Sequence, residues 1–262
     1  MMQFGPLTLK RCKYGWMLFS GPYIGKCFEL YGQYSESELV MMRAFLRAGD
    51  TVIDVGANIG DLTLPLAQFV GNEGRVYAIE SHPYTFNVLC ANLALNEIAN
   101  VKPLNTFVTI RGDRDTASRQ FGPDAYVSPT WETSFMVLDD LDLTAFNLLK
   151  IDVDGKELSV LQSGAMQIER FRPTLYLEND SRETSSPLLA YLLGLDYDLY
   201  WHLAPVFESD NYFGNPINHW PGTMISPMVV GVPSERKIEI PGLDRIRSPD
   251  AWWDPGNQVR SA

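Results

Sequence analysis

The stretch of this chain best equipped for chemistry is Asp54-Val55-Gly56-Ala57-Asn58-Ile59-Gly60. Gly56 and Gly60 flank a tight turn, where absent side chains let the backbone bend and a ligand come close. Apolar residues repeat at helical spacing from Asp61 through Phe69, so free helix N–H groups face the same ligand. A dinucleotide fold uses G-x-G-x-x-G, whose second glycine lets the chain approach a pyrophosphate. Asn58 stands at that place, which points to a ligand with no pyrophosphate. The next apolar run, Arg75 to Ile79, ends in Glu80, an acid suited to the paired hydroxyls of a ribose. Ribose without pyrophosphate describes S-adenosylmethionine. A nicotinamide oxidoreductase would use the same strand, turn and helix, but Asn58 and the lack of a Tyr-x-x-x-Lys or paired histidines argue against it.

Further acids stand where two later strands are expected to end. Phe146 to Ile151 leads into Asp152-Val153-Asp154-Gly155-Lys156-Glu157, and Pro173 to Leu177 leads into Glu178-Asn179-Asp180. Ligands of open α/β sheets sit beyond the carboxyl ends of strands. Asp154 and Glu157 also fit plain helix N-terminal acids. Methyl transfer to an alcohol needs an in-line oxygen and removal of its proton. Asp152 is the first choice for the base and His202 the second, while His82 and His219 read as surface or structural histidines. Asp152, Glu178 and Asn179 together make an all-oxygen set suitable for Mg²⁺.

The acceptor side is expected among Asp154, Glu178, Trp201, Asn211 and Asn215. Aromatic residues from Tyr200 to Trp220 alternate there with amides and acids, the mixture that binds sugar rings. A polyketide hydroxyl would suit the apolar faces equally. A binding module that kept the fold without catalysis is the remaining rival.

The elements that must position these residues follow from periodicity. Thr51 to Val55 is a β-branched run broken only by Asp54, as expected of a central parallel strand. Helices are expected over about 84–96 and 188–193, and from Asp154 onward. Strands are expected at 101–104, 135–138, 197–202 and 228–232. Residues 1–34 alternate polar and apolar types and predict short antiparallel strands. Ser35 and Glu38 form a capping-box signal for a helix to about Arg47, which would carry Tyr34 or Glu38 to the cofactor pocket. Residues 111–132 read as a loop, and as a candidate lid. The expected division is an N-terminal β extension (1–34), a catalytic domain (35–235) and a tail (236–262). In the tail, Trp252-Trp253 would pack on the body or on a second copy in a homodimer.

The 262 residues suffice for one α/β domain with a sizeable core. Lys and Arg number 21 against 32 Asp and Glu, a net charge of −11 that repels nucleic acid and anionic lipid. Three widely spaced cysteines indicate neither a disulfide framework nor a zinc knuckle, which fits a reducing cytoplasm. No run approaches the roughly 18 apolar residues of a membrane span.

Taken together, Tyr31-Gly32-Gln33-Tyr34-Ser35 with Glu38, Gly49-Asp50, the Asp54 to Gly60 motif, Glu80, the pair Asn92 and Asn96, Leu149 to Gly155 with Glu157, and Pro173 with Glu178 resemble the FkbM family of S-adenosylmethionine-dependent methyltransferases. Asp154 departs from the family's more usual glutamate. The resemblance implies a class I methyltransferase fold of Rossmann-like α/β type, a seven-stranded mostly parallel sheet with helices on both faces. It implies O-methylation of a hydroxyl on a sugar or natural product. By this likeness Gly56, Ala57, Asn58 and Gly60 line the methionine part of the cofactor, Glu80 holds the ribose, and Asn105 flanks the adenine. Tyr34, Glu38, Asp54, Ser81 and Asp152 complete the expected cofactor set.

Overall fold

The computed structural model describes residues 2–113, 134–220, 222 and 224–253. The chain opens with a three-stranded antiparallel sheet of β1 (Met2–Phe4), β2 (Leu7–Cys12) and β3 (Gly15–Phe19). The expected strands stop there. Helix α1 (Ile24–Tyr31) follows, burying Cys27, Phe28 and Tyr31, and Gly32 closes it in the left-handed conformation, its N–H donating to the Phe28 carbonyl. Helix α2 (Glu36–Arg43) ends a turn earlier than expected. Ser35 is itself left-handed and its side chain makes no cap, so the capping box does not form, and Glu38 is buried instead.

The chain then alternates strands and helices: β4 (Thr51–Val55), α3 (Thr63–Val70), β5 (Arg75–Glu80), α4 (Pro83–Leu95) and β6 (Val101–Asn105). A two-stranded pair, β7 (Phe107–Val108) and β8 (Phe135–Met136), intervenes before β9 (Leu148–Ile151), α5 (Glu157–Ser163), α6 (Ala165–Phe171), β10 (Thr174–Glu178) and α7 (Arg182–Gly194). The long hairpin of β11 (Tyr197–Pro205) and β12 (Ile225–Pro233) and the short β13 (Asp244–Ile246) complete the order. From residue 114 on, the loop expected as a lid lies outside the described residues.

The main sheet runs β13-β11-β12-β10-β9-β4-β5-β6. Its five strands from β10 to β6 are mutually parallel, while β12 lies antiparallel between β10 and β11. These are the seven expected strands, and β13 adds an eighth at the edge. Parallel strands buried on both faces feed two cores. Ile53, Val55, Leu149 and Ile151 pack on one face, and Val52, Leu148, Tyr176 and Val230 on the other. The polar residues of β4 and β9, Asp54 and Lys150, are register partners. They share the second face, and each makes the other tolerable there.

The N-terminal sheet is held by amides. The Asn92 side chain accepts from Leu18 N at 2.7 Å and donates to Leu18 O at 3.0 Å, and Asn96 pairs with Trp16 N and O, each at 2.7 Å. Two side chains on α4 thus take the place of a fourth strand beside β3. Trp252 meets Trp201 edge-on at 6.2 Å, setting the tail against the body. Among the described residues no helix is long and apolar enough to cross a membrane.

Candidate active site

All five parallel strands end at one edge, and the cavity of about 430 Å³ there is of ligand-binding size. Its floor is the turn after β4. Gly56 and Gly60 have φ of 80° and 89°, and Asn58 is left-handed with φ 48°. Glycine is required at 56 for space as well, since a Cβ would lie 1.9 Å from the carbonyl oxygen of Asp152. The Gly56 and Ala57 N–H groups donate to Ile79 O, and Gly60 N donates to Ala57 O, so the turn is tied to β5.

Glu80 closes one end of the cavity. Its carboxylate accepts from Asn58 N at 2.9 Å and His82 N at 2.7 Å. Burial nevertheless moves its pKa up, against those two bonds and the charge of Lys150. Asn105 does not line the cavity; its amide donates to Glu80 O and Ser81 O and shapes the loop that does. Beyond it, Thr106, Phe107 and Val108 form the wall that sequence reasoning sought in Asn105.

Beneath the turn lies Lys150. Its ammonium donates to Gly56 O at 2.9 Å and stands 3.3 Å from Asp54 and 3.8 Å from Asp152. Burial alone would lower its pKa, but Asp54, Asp152, Asp61 and Glu38 more than reverse this and keep it charged. Asp54 accepts from Thr63 Oγ1 at 2.6 Å and is wholly buried, so it supports the turn from below and does not face the cavity.

Asp152 and Glu178 follow the paired strand ends Ile151 and Leu177 and both line the cavity. Burial, reinforced by the Asp152 carboxylate beside it, pushes Glu178 well above the usual carboxylate range, so Glu178 keeps its proton at neutral pH. Asp154, in the left-handed region with φ 50°, and Lys156 also line the wall. Tyr34 closes the other end with Tyr23, their rings meeting edge-on at 5.9 Å.

Several expected site residues are placed elsewhere. His202 is buried between Ser37 Oγ (3.1 Å from Nε2) and Tyr176 OH (2.8 Å from Nδ1), away from the cavity wall. Burial lowers its pKa to about 4. It is a neutral link between α2 and the sheet and not a base at the site. Trp201 is 5% exposed and belongs to the core. Asn211 bonds the carbonyls of Glu208 and Asn215, and Asn215 reaches the Leu30 carbonyl, so both brace the loop before β12. Nor do the residues fit Mg²⁺. The Asn179 amide donates to Ser185 Oγ at 3.0 Å and does not line the cavity, and among the described residues no three His, Cys, Asp or Glu side chains gather as a metal cluster.

Sequence reasoning missed Asp61, which lines the cavity with Oδ1 buried and unpartnered, and gave Lys150 no role. Thr106 Oγ1 and Glu178 Oε2 are likewise buried without partners. Such orphaned atoms on a cavity wall are waiting for ligand groups.

Five parallel strands closed by an antiparallel hairpin, with the glycine turn after β4 and an acid ending β5, define the class I methyltransferase fold. The chain belongs to the FkbM methyltransferases: residues 54–199, more than half of it, match the model of the Methyltransferase FkbM domain. The methyl donor is S-adenosylmethionine. An FkbM methyltransferase from Methylobacillus flagellatus is similar in structure, with TM-score 0.50 and 21% identity over 72% of this chain and 45% of that one. A SAM-dependent O-methyltransferase from Thermotoga maritima gives TM-score 0.50 and 15% identity over 87% of this chain and 78% of that one. At these identities the two structures speak to the fold alone. A tRNA(Phe) (4-demethylwyosine(37)-C(7)) aminocarboxypropyltransferase from Methanocaldococcus jannaschii is 35% identical over 75 residues, 29% of this chain. The match spans 30% of the length of that curated relative.

Proposed function

We propose that this methyltransferase O-methylates a hydroxyl of a sugar or glycan acceptor, with residues 35–235 as the catalytic body and segments 1–34 and 236–262 as additions that shape it. The observation that carries this reading is the meeting of Asp152 and Glu178 in the same cavity as Glu80 and the glycine turn. The cofactor, when bound, supplies a methyl group on a sulfonium. Glu80 accepts the ribose hydroxyls, and the Gly56 to Gly60 turn, with Ser81 and Tyr34, encloses the rest.

Asp152 has 41% of its side chain exposed and can reach an acceptor. It would take the hydroxyl proton as the methyl passes from sulfur to oxygen, the C–S bond breaking to leave the neutral thioether, while Lys150 orients it from behind. Glu178 holds a hydrogen that it donates to Asp152 or to the acceptor. A sugar is favoured by the mixture on the cavity wall, where Tyr23 and Tyr34 join Ser226, Asp154, Lys156 and Glu178. Trp220 supports Tyr23 from behind at 5.2 Å. This is a different set from the Trp201, Asn211 and Asn215 expected from sequence. A tRNA acceptor is disfavoured by the net charge of −11. Cys12, Cys27 and Cys90 are free thiols, which suits a cytoplasmic enzyme.

The test is calorimetric titration with S-adenosylhomocysteine, followed by transfer of labelled methyl from S-adenosylmethionine to a panel of oligosaccharides, polyketide alcohols and tRNA. Label in a sugar methyl ether supports the reading. Label only in polyketide or RNA overturns the acceptor class.

A further inference from the structure

Asp61 is 8% exposed, it lines the cavity, and its Oδ1 has no hydrogen-bond partner among the described residues. The Lys150 charge acts on Asp61 and lowers its pKa, but the ammonium is shared with Gly56 O, Asp54 and Asp152 and gives Asp61 Oδ1 no hydrogen bond. Glu38, on α2, is buried with Oε2 also unpartnered. The groups facing this pair are Lys150, Asp54, Asp152 and Tyr176 from the sheet and its strand ends, Tyr34 and Ser35 ahead of α2, Cys27 of α1, and Tyr23 just before it. Four carboxylates thus surround one cation. Burial, helped by Asp152, raises Glu38 to about 8, and burial, helped by Asp54, raises Asp61 to about 7. An acid taken out of water without a partner is costly, and an entering cation removes the cost. Glu80 is held by Asn58 N and His82 N, whereas Asp61, directly after Gly60, feels Asp152 and acts on Glu38.

We propose that Asp61, backed by Glu38, receives the primary ammonium of the cofactor's methionine end, and that its arrival displaces a proton these two acids otherwise hold. The proposal rests on the cofactor reading above. The proton leaves to bulk buffer, so binding is linked to pH.

The experiment titrates the full chain near neutral pH with S-adenosylhomocysteine and with 5′-methylthioadenosine, in two buffers of different ionisation enthalpy. The second ligand keeps the adenosine and thioether and lacks the amino acid. Expected for the wild type is tighter binding of S-adenosylhomocysteine, with proton release seen for that ligand alone. Asp61→Asn should weaken it roughly ten- to a hundredfold and abolish most of the release, with 5′-methylthioadenosine binding nearly unchanged. Asp61→Glu, which keeps the charge, should restore release, and it remains informative if the asparagine variant folds poorly. Equal weakening of both ligands by Asp61→Asn, or unaltered S-adenosylhomocysteine affinity and release, overturns the proposal while leaving the cofactor reading intact. A wild type that binds neither ligand overturns both.

Discussion

Lys150 and Asp54, register partners on neighbouring parallel strands, meet as a buried ion pair at 3.3 Å directly beneath the cofactor turn. The same ammonium holds the Gly56 carbonyl, so one cation joins the ends of two strands to the turn. Replacing one partner of a buried pair leaves the other charge unpaired, at about 3–5 kcal/mol. Lys150→Met is expected to lose stability of that order in urea unfolding and to lose S-adenosylhomocysteine binding. Unchanged stability would mean that Asp54 is satisfied without Lys150.

Glu80 holds Asn58 N and His82 N while its carboxylate still faces the cavity. Glu80→Ala removes ribose recognition and loosens the turn together. Calorimetry should show S-adenosylhomocysteine affinity falling by roughly a hundredfold, about 2.7 kcal/mol, and an affinity within threefold of wild type would count against the ribose assignment.

Asp152 and Glu178 should separate in kinetics. Asp152→Asn is expected to lower kcat by about 10²–10⁴ while S-adenosylhomocysteine affinity changes little. Glu178→Gln keeps a hydrogen-bond donor, so it should retain most activity at neutral pH and lose the alkaline limb of the pH–rate profile. If Glu178→Gln is instead as damaging as Asp152→Asn, the proton assignment is reversed.

The buried acids also predict how the ligand-free protein responds to pH. Glu38 and Asp61 rise on folding to about 8 and about 7, so their protonated forms favour the folded state. That stability is full below the ordinary carboxylate range and is lost as pH rises through those values. His202, lowered to about 4, acts oppositely, and its contribution is lost as pH falls. Above about pH 6.5 the opposing contribution of the histidine is nearly complete, because its unfolded form is losing its proton there, and the raised acids, Glu178 among them, dominate. Thermal unfolding should therefore show the Tm falling between about pH 6.5 and 8, as stability drops by on the order of a few kcal/mol. The fall should be smaller in Asp61→Asn.

Asn92 gives a prediction away from the chemistry. Its amide satisfies Leu18 N and O and also donates to Ile59 O at 2.8 Å, joining the N-terminal sheet to the cofactor turn. Asn92→Ala should cost about 1–3 kcal/mol through unpaired backbone groups. Limited proteolysis should then cut first within residues 2–19.

The strand, turn and helix at Thr51–Val70 were legible because β-branched runs and paired glycines are local signals. Glu80, Asp152 and Glu178 were legible because strand ends share one edge in a parallel sheet. Helix α1 was obscured by the glycines and aromatic residues of Tyr23–Tyr31, although Gly32 was an available stop signal. The displaced residues share another cause. Trp201 and His202 sit on a strand whose faces are both covered, and Asn211 and Asn215 serve the backbone of their own loop. Asp61 escaped notice because an unpartnered oxygen is a property of the assembled cavity and leaves no trace in local sequence.

The contact that bars a Cβ at Gly56 has an effect on how such an enzyme can change. Donor turn and proposed base are spaced by main chain against main chain, Gly56 against the Asp152 carbonyl. The walls that would meet an acceptor, Tyr23, Tyr34 and Ser226, come from α1's approach, the start of α2 and β12. Exchanging those side chains leaves the distance between methyl and base alone. One invariant reaction geometry can therefore serve a succession of acceptors.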